Sequence, residues 1–558
     1  MATTIRYGTR LEHLHDAVKL SSRGQTAVSV WINDDIRPLP PSRRTWTTMT
    51  FIGWWSVWQL SLTNWQLGGS LVASSLSVWQ TMVAVILGRT IAAIVAILIG
   101  YIGAEWHIGF LVYSRAIWGV FGAFFPTLLR IGLTVVGFAF QSYTGGLCVT
   151  AILSGIFPTF FRMSNTLPPS AHVTSQQIIG WAIFNIISIP VLYRRPERSE
   201  KLMFGMNIVS FAALLGIMIW SLSHAHGAGD LIHQPSQLQT SESLGFGIMQ
   251  GITTVVGTLS IALNDVPNLH SASQMDFSRF AQKPSDQVFG QWFTFIIIGS
   301  IMPLFGCLTS SATQAIYGEA LWNPPTILAM WLQKDYSSTS RAAAVQSVPN
   351  LWTGYSVGMD LSGLLPKYIN IRRGCYVGLI LGMALCPWEL LASATTFVSV
   401  ISSFSIFMAP FCGIHIGDYW FIRQRRLKLS DLYHARPEGI YFYTMGFNWR
   451  SVLPWLVGWV PLLPGFMHSI NPAIQVSVGA DHLYALGFPY GLLSSMAIHT
   501  LVNKCFPPPG VGEIDRDDTY GTFTVEEAAK LGVNKDSTEE DSDRSLSHES
   551  REAVETKV

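Results

Sequence analysis

The run Thr63-Asn64-Trp65-Gln66-Leu67-Gly68-Gly69-Ser70 sets amide, hydroxyl and glycine residues in the middle of an apolar segment covering residues 48–72. Gly257-Thr258-Leu259-Ser260-Ile261-Ala262-Leu263-Asn264 does the same within 244–264. In hydrocarbon every backbone polar group has to be satisfied by protein, so an interruption there survives only where it is buried or lines a cavity. The neighbouring sequence says that the setting is a bilayer. Apolar stretches recur near 48–72, 78–102, 118–156, 177–193, 202–222, 244–264, 290–314, 342–364, 374–387, 389–413, 449–469 and 483–503. A helix needs roughly 20 apolar residues to span a bilayer core. The spacing predicts an all-α integral membrane protein of twelve transmembrane helices, the third long enough for a tilted helix plus a turn.

The interrupted segments are the first and the sixth, equivalent positions if the first ten spans form two five-helix repeats. Secondary transporters build midplane sites from such broken helices. The competing reading is that small residues merely let membrane helices pack closely, and it applies to any single Gly or Ser taken alone.

Composition excludes other classes. Of 558 residues, 49% are hydrophobic and 12% charged, against roughly 25% charged in a soluble domain. The formal net charge of +1 gives no basic field for nucleic acid. No HExxH, GxSxG, P-loop or haem-spaced His pair is present, so neither an enzyme nor a cofactor is expected. Cys148, Cys307, Cys375, Cys386, Cys412 and Cys505 lack ligand spacing and read as reduced packing residues. His224, His226 and His233 lie in a loop without fixed ligand geometry, and no metal site is expected.

Lys and Arg are enriched in cytoplasmic loops. With the N-terminus inside, those loops collect Arg194, Arg195, Arg198 and Lys201, then Arg279 and Lys283, then Lys367, Arg372 and Arg373, then Arg423, Arg425, Arg426, Lys428 and Arg436. The opposite side holds only Arg162, Lys334 and Arg341. A multi-pass plasma-membrane protein with both termini cytosolic follows. Residues 1–46 form a polar N-terminal tail without a signal peptide, 47–505 the membrane domain, and 506–558 a C-terminal tail. That tail is Ser/Thr-rich, carries 14 acidic and 6 basic residues and is too poor in apolar residues to fold alone, so it is expected to be disordered in the cytosol. Its Lys530, Lys535 and Lys557 suit regulatory modification, or the tail merely solubilises.

Asn33-Asp34-Asp35-Ile36-Arg37-Pro38 followed by Arg43-Arg44-Thr45-Trp46 resembles the NxDxxP…RRTW opening of the nucleobase:cation symporter family. Gly290-Gln291, Thr313, Tyr317-Gly318-Glu319, Trp322, Pro324, Arg372-Arg373-Gly374, Pro387-Trp388, Ala409-Pro410, Gly413, Asp418-Tyr419 and Pro464-Gly465 agree in order and spacing. The resemblance covers about residues 33–470 and is strongest to the fungal uracil, uridine, allantoin and thiamine permeases. It implies a five-plus-five inverted repeat with two extra C-terminal helices, which imports a small planar heterocycle together with a proton or Na⁺.

The resemblance also implies site residues. The family's segment three reads Trp-aromatic-Gly-x-Gln, and here Gly137-Phe138-Ala139-Phe140-Gln141 keeps the Gln and loses the stacking Trp. Gln141 then bonds the substrate's amide edge and Phe138 or Phe140 stacks on it; Thr258, Asn264 and Asn350 complete the pocket. Asn64, Gly68, Gly69, Thr353 and Ser356 are the cation candidates, with Asp360 the nearest carboxylate. The family's second stacking Trp, in segment six, is Leu259, and residues 265–275 look like an insertion or a gene-model artefact. Arg89 and Arg130 read as cations snorkelling along tilted helices, and Glu389 as a charge at a helix start. The rival class is a non-transporting receptor or sensor on the same fold; a thiamine-like vitamin carrier is the other alternative.

Overall fold

The computed structural model describes residues 31–32, 36–193, 200–234, 240–262, 274–345, 358, 361, 364 and 368–535. Among them the architecture is all-helical, with isolated bridges in place of a sheet. Segment one is two helices, α1 (Thr48–Gln59) and α2 (Leu62–Ser74). Next come α3 (Val78–Trp106), α4 (Phe110–Trp118), α5 (Phe124–Ile156), α6 (Ser175–Tyr193), α7 (Glu200–His224) and α8 (Ser241–Ala262). They are followed by α9 (Gln274–Ser278), α10 (Asp286–Ile296), α11 (Ile301–Tyr317), α12 (Pro324–Lys334), α13 (Ser338–Val345), α14 (Ile371–Ala384) and α15 (Ala394–Ile416). The chain closes with α16 (Val452–Trp459), α17 (Leu463–Ile470), α18 (Val478–Ala485), α19 (Gly487–Cys505) and α20 (Val525–Leu531).

Five helical stretches among the described residues are long and apolar enough to cross a bilayer, six if the α18–α19 pair, bent by 80°, is one span. Twelve spans were expected. The first expected span is broken at Leu60-Ser61, the eleventh is divided between α16 and α17, and most of 342–364 lies outside the described residues. Large apolar side chains face outward, among them Ile86, Leu87 and Ile94 on α3 and Ile186, Ile187 and Ile189 on α6. That surface suits lipid rather than water.

Buried cations are paired instead of snorkelling. Arg130 lies over the Phe110 ring at 4.3 Å and 3.5 Å from Asp276, because α5 turns it toward α4 and α9. Arg423 donates to Asp418 at 2.7 Å, and Tyr113 donates to the same carboxylate at 2.9 Å.

The described part of the C-terminal tail is folded, contrary to the expectation for 506–558. Thr524 and Glu527 form a capping box on α20, Gly532 ends the helix at φ 74°, and Phe523, Ala528 and Val533 are buried. The segment packs against the membrane domain and the N-terminal stretch. Phe523 meets Trp106 edge-on, and Glu527 accepts from Arg44 at 2.7 Å. Arg44 is therefore buried under the tail, while Trp46 stacks on Phe280. Residues 536–558 lie outside the described residues, as do 1–30.

Candidate functional site

The break in segment one sits just ahead of the run that predicted it: α1 ends at Gln59, α2 begins at Leu62, and Thr63 to Ser70 is helical. A helix end leaves carbonyls without partners. Asn64 reaches back to supply them, its Nδ2 donating to Gln59 O at 3.0 Å and Trp58 O at 3.3 Å. Its Oδ1 accepts from Arg89 Nη2 at 2.7 Å. Arg89 comes from α3, is fully buried, and also donates to Gln59 Oε1 at 2.5 Å and Phe295 O at 3.4 Å. Arg89 thus clamps the two halves of segment one to each other and to α10. Snorkelling fails here because its side chain points across the bundle, toward the amide oxygens of Gln59 and Asn64 on either side of the break.

Thr63, the second residue of α2, is where the break meets segment three. Gln141 on α5 donates through Nε2 to Thr63 Oγ1 at 2.8 Å, leaving its Oε1 without a donor among the described residues. Beside it, Phe140 packs on Phe397 of α15 with centroids 5.4 Å apart, and Phe397 on Trp322 at 5.0 Å. Phe138 is not part of this group. Two residues along a helix is a rotation of about 200°, which points Phe138 at Leu361, Leu379 and Gly382.

Thr258 is fully buried with its hydroxyl returned to Thr254 O at 3.0 Å. The α8 helix runs unbroken to Ala262 and uses its small residues for packing. A Cβ on Gly257 would lie 2.1 Å from Ile401 O, and Thr254 shares a hydrogen bond with Ser402 at 2.9 Å. Gly68 and Gly69 also sit in a helix contact: a Cβ on Gly68 would lie 2.1 Å from Pro303 O, and one on Gly69 3.0 Å from Trp322 Cα. Asn264, Asn350, Thr353, Ser356 and Asp360 lie outside the described residues. Of residues 265–275, Gln274 and Met275 are described; both are buried in α9, Met275 against Gly103 of α3.

Thr63 and Arg89 are the participants that reasoning from sequence left out of the site. Thr63 stands inside the quoted run, one residue before Asn64, and that adjacency was the available signal. Among the described residues no cluster of three His, Cys, Asp or Glu is placed to hold a metal ion.

The model of a family of permeases for cytosine/purines, uracil, thiamine and allantoin matches residues 38–491. The chain belongs to this family, the nucleobase:cation symporters. The permease is 84% identical to Transporter aclS of Aspergillus oryzae over 100% of both chains. It is 28% identical to the uracil permease of Saccharomyces cerevisiae, over 86% of this chain and 77% of that one. Mhp1 in an inward-facing conformation matches it with a TM-score of 0.65 at 20% identity, over 91% of this chain and 99% of Mhp1. Mhp1 closed with bromovinylhydantoin bound gives 0.60 at 21% identity, over 90% and 99%. The permease therefore has the Mhp1 transporter fold and is a multi-pass membrane carrier of a small molecule and a cation, not an enzyme.

Proposed function

We propose that this permease is a plasma-membrane secondary symporter, with both termini cytosolic, that imports a small, planar, uncharged nucleobase, nucleoside or allantoin-type ureide together with a proton. The observation that carries the reading is the Gln141–Thr63 pair. Thr63 occupies the amide's N–H side, so Gln141 Oε1 stays available to a substrate N–H. A cyclic lactam or ureide offers that donor on a flat ring, and Phe140, Phe397 and Trp322 provide an aromatic flank for it. Asn264 and Asn350 remain proposed as further contacts on the same pocket.

The choice of a proton is supported by what segment one has already committed. A sodium ion needs a cage of oxygens, yet Asn64 is engaged by Arg89, and Gly68 and Gly69 are closed in by α11 and Trp322. Thr353 and Ser356 are the remaining proposed oxygen donors. The test is uptake of radiolabelled uracil, uridine, allantoin, thiamine and cytosine in a fungal strain lacking its own permeases, with and without a protonophore. Concentrative uptake of one compound that collapses with the proton gradient is expected. No uptake of any of them, with the protein at the cell surface, would overturn the reading.

A further inference from the structure

A cavity of about 530 Å³ lies between α7, α12 and α13, apart from the Gln141–Thr63 pair. One face of α7 makes it, since Ser210, Ala213, Leu214, Ile217, Trp220 and His224 recur at three- and four-residue intervals and so share a side. Small residues leave the space: a Cβ added to Gly216, which also lines the cavity, would meet nothing within 4 Å. Rings furnish the wall. Trp220 stands 4.0 Å from Trp331 and is stacked on His224 at 4.0 Å, centroid to centroid. Lys334 and Asp335 line the exposed rim, with the Lys334 ammonium 5.3 Å from the Tyr317 ring centroid.

One donor in this wall is unused. Trp331 Nε1 is directed at the Tyr317 hydroxyl oxygen, and the buried hydroxyl itself finds no acceptor in hydrogen-bonding geometry. A buried donor without a partner is costly, and a ligand carbonyl is the group that would relieve it. Flat rings for stacking, an unsatisfied hydroxyl and an ammonium at the rim together fit a planar, carbonyl-bearing heterocycle better than a lipid chain, which would leave that hydroxyl unmet. Position adds to the chemistry. Leu62, beside Thr63, lines the cavity, and so does Cys148, two turns along α5 from Gln141.

We propose that this cavity is a second binding site for such a heterocycle, an antechamber leading to the Gln141–Thr63 pair. The inference rests on the function proposed above. Gly216→Phe fills the space from an open position, and Trp220→Leu removes the stacking ring while keeping an apolar side chain; melting temperature monitors the fold of each. Purified full-length protein is titrated at equilibrium with tritiated uracil and tritiated allantoin.

Wild type should bind two molecules of one probe per chain. Gly216→Phe should abolish the second site, Trp220→Leu should weaken it roughly tenfold, and Gln141→Ala should remove only the first. A single site lost in Gln141→Ala would overturn the antechamber and leave the proposed function standing. Two sites persisting in both cavity variants would also overturn it, as would labelling of α7 or α12 by a photoactivatable sterol in wild type that is lost in Gly216→Phe. Absence of binding by either probe, or binding indifferent to Gln141→Ala, would overturn the proposed function, and the antechamber with it.

Discussion

Gly68→Ala separates two readings of segment one, as part of a cation site or as a helix contact. The added Cβ would lie 2.1 Å from Pro303 O, 2.7 Å from its carbonyl carbon and 2.8 Å from its Cα. All three are backbone atoms, so no side chain can turn aside, and α2 and α11 have to separate by about 1 Å to restore ordinary contact. The shift cannot be absorbed locally, because Gly306 of α11 faces Trp65 O of α2 just as closely, at 2.1 Å for its own added Cβ. Overpacking of this kind costs about 1–3 kcal/mol, and backbone on both sides argues for the upper half. In a chain of this size that corresponds to a fall in melting temperature of only about 1–3 °C, measured on detergent-purified protein by fluorescence-detected size exclusion after heating. Gly53→Ala is the matched control. Nothing lies within 4 Å of its added Cβ, and helix propensity alone should leave stability unchanged or raised by up to about 1 kcal/mol. If Gly68→Ala melts with wild type and alters only the ion dependence of uptake, the contact is not what that glycine is for, and the packing argument fails.

Gln141→Ala should abolish uptake at unchanged surface expression, and Thr63→Val should raise KM by roughly tenfold by freeing the Gln141 amide to rotate; full uptake by Gln141→Ala would take that residue out of the site. Arg89→Met leaves Gln59 Oε1 and Asn64 Oδ1 without their donor, costing about 2–5 kcal/mol, so melting temperature and uptake should fall together. Loss of uptake at a wild-type melting temperature would instead give Arg89 a direct part in transport. The C-terminal segment should be released by acid. Burial raises the Glu527 carboxyl, but Arg44 and the Thr524 contact outweigh it and hold it below its ordinary value. Burial, reinforced by Arg44, lowers His107 from 6.5 to about 3. A lowered carboxyl stabilises fully above its unfolded pKa and is lost as pH falls through the folded one. A histidine kept neutral by the fold loses ground wherever the unfolded chain takes up the proton, from about 6.5 downward. Both signs agree, so limited proteolysis within 506–535 should accelerate between pH 6.5 and 3. Arg44→Ala should permit the same cleavage at neutral pH, and a digest indifferent to both would refute the clasp.

Helical segments could be read from the chain, and Gln141 singled out as a candidate, because each depends on local facts: an apolar run, a glycine among hydroxyls, an amide where lipid would not tolerate one. What escaped depends on distant neighbours. Phe138 and Phe140 are equivalent as letters, and only the rotation of α5 against α15 separates them. Arg89 is a costly charge by any local measure until the side-chain amide oxygens of Gln59 and Asn64, 30 and 25 residues earlier in the chain, come to meet it at the segment-one break. Residues 506–535 are too acidic and too sparse in apolar side chains to fold by themselves, and composition has no means of showing the Trp106 and Arg44 surface that folds them. Gly68 and Gly69 were read as cation candidates, whereas their missing side chains let α11 and Trp322 approach.

The Arg89 clamp also bears on how the polypeptide enters the bilayer. An arginine at the centre of a nascent span adds about 2.5–3.5 kcal/mol to the apparent cost of membrane insertion. The dozen Val, Ile and Leu of α3 offset it, at about 0.3–0.6 kcal/mol apiece. Two of the three acceptors, Gln59 and Asn64, belong to the segment made immediately before, whereas Phe295 is translated some two hundred residues later. The charge can therefore be accommodated as soon as the first two segments leave the translocon side by side, and a strong reason exists for them to leave as a hairpin rather than one at a time.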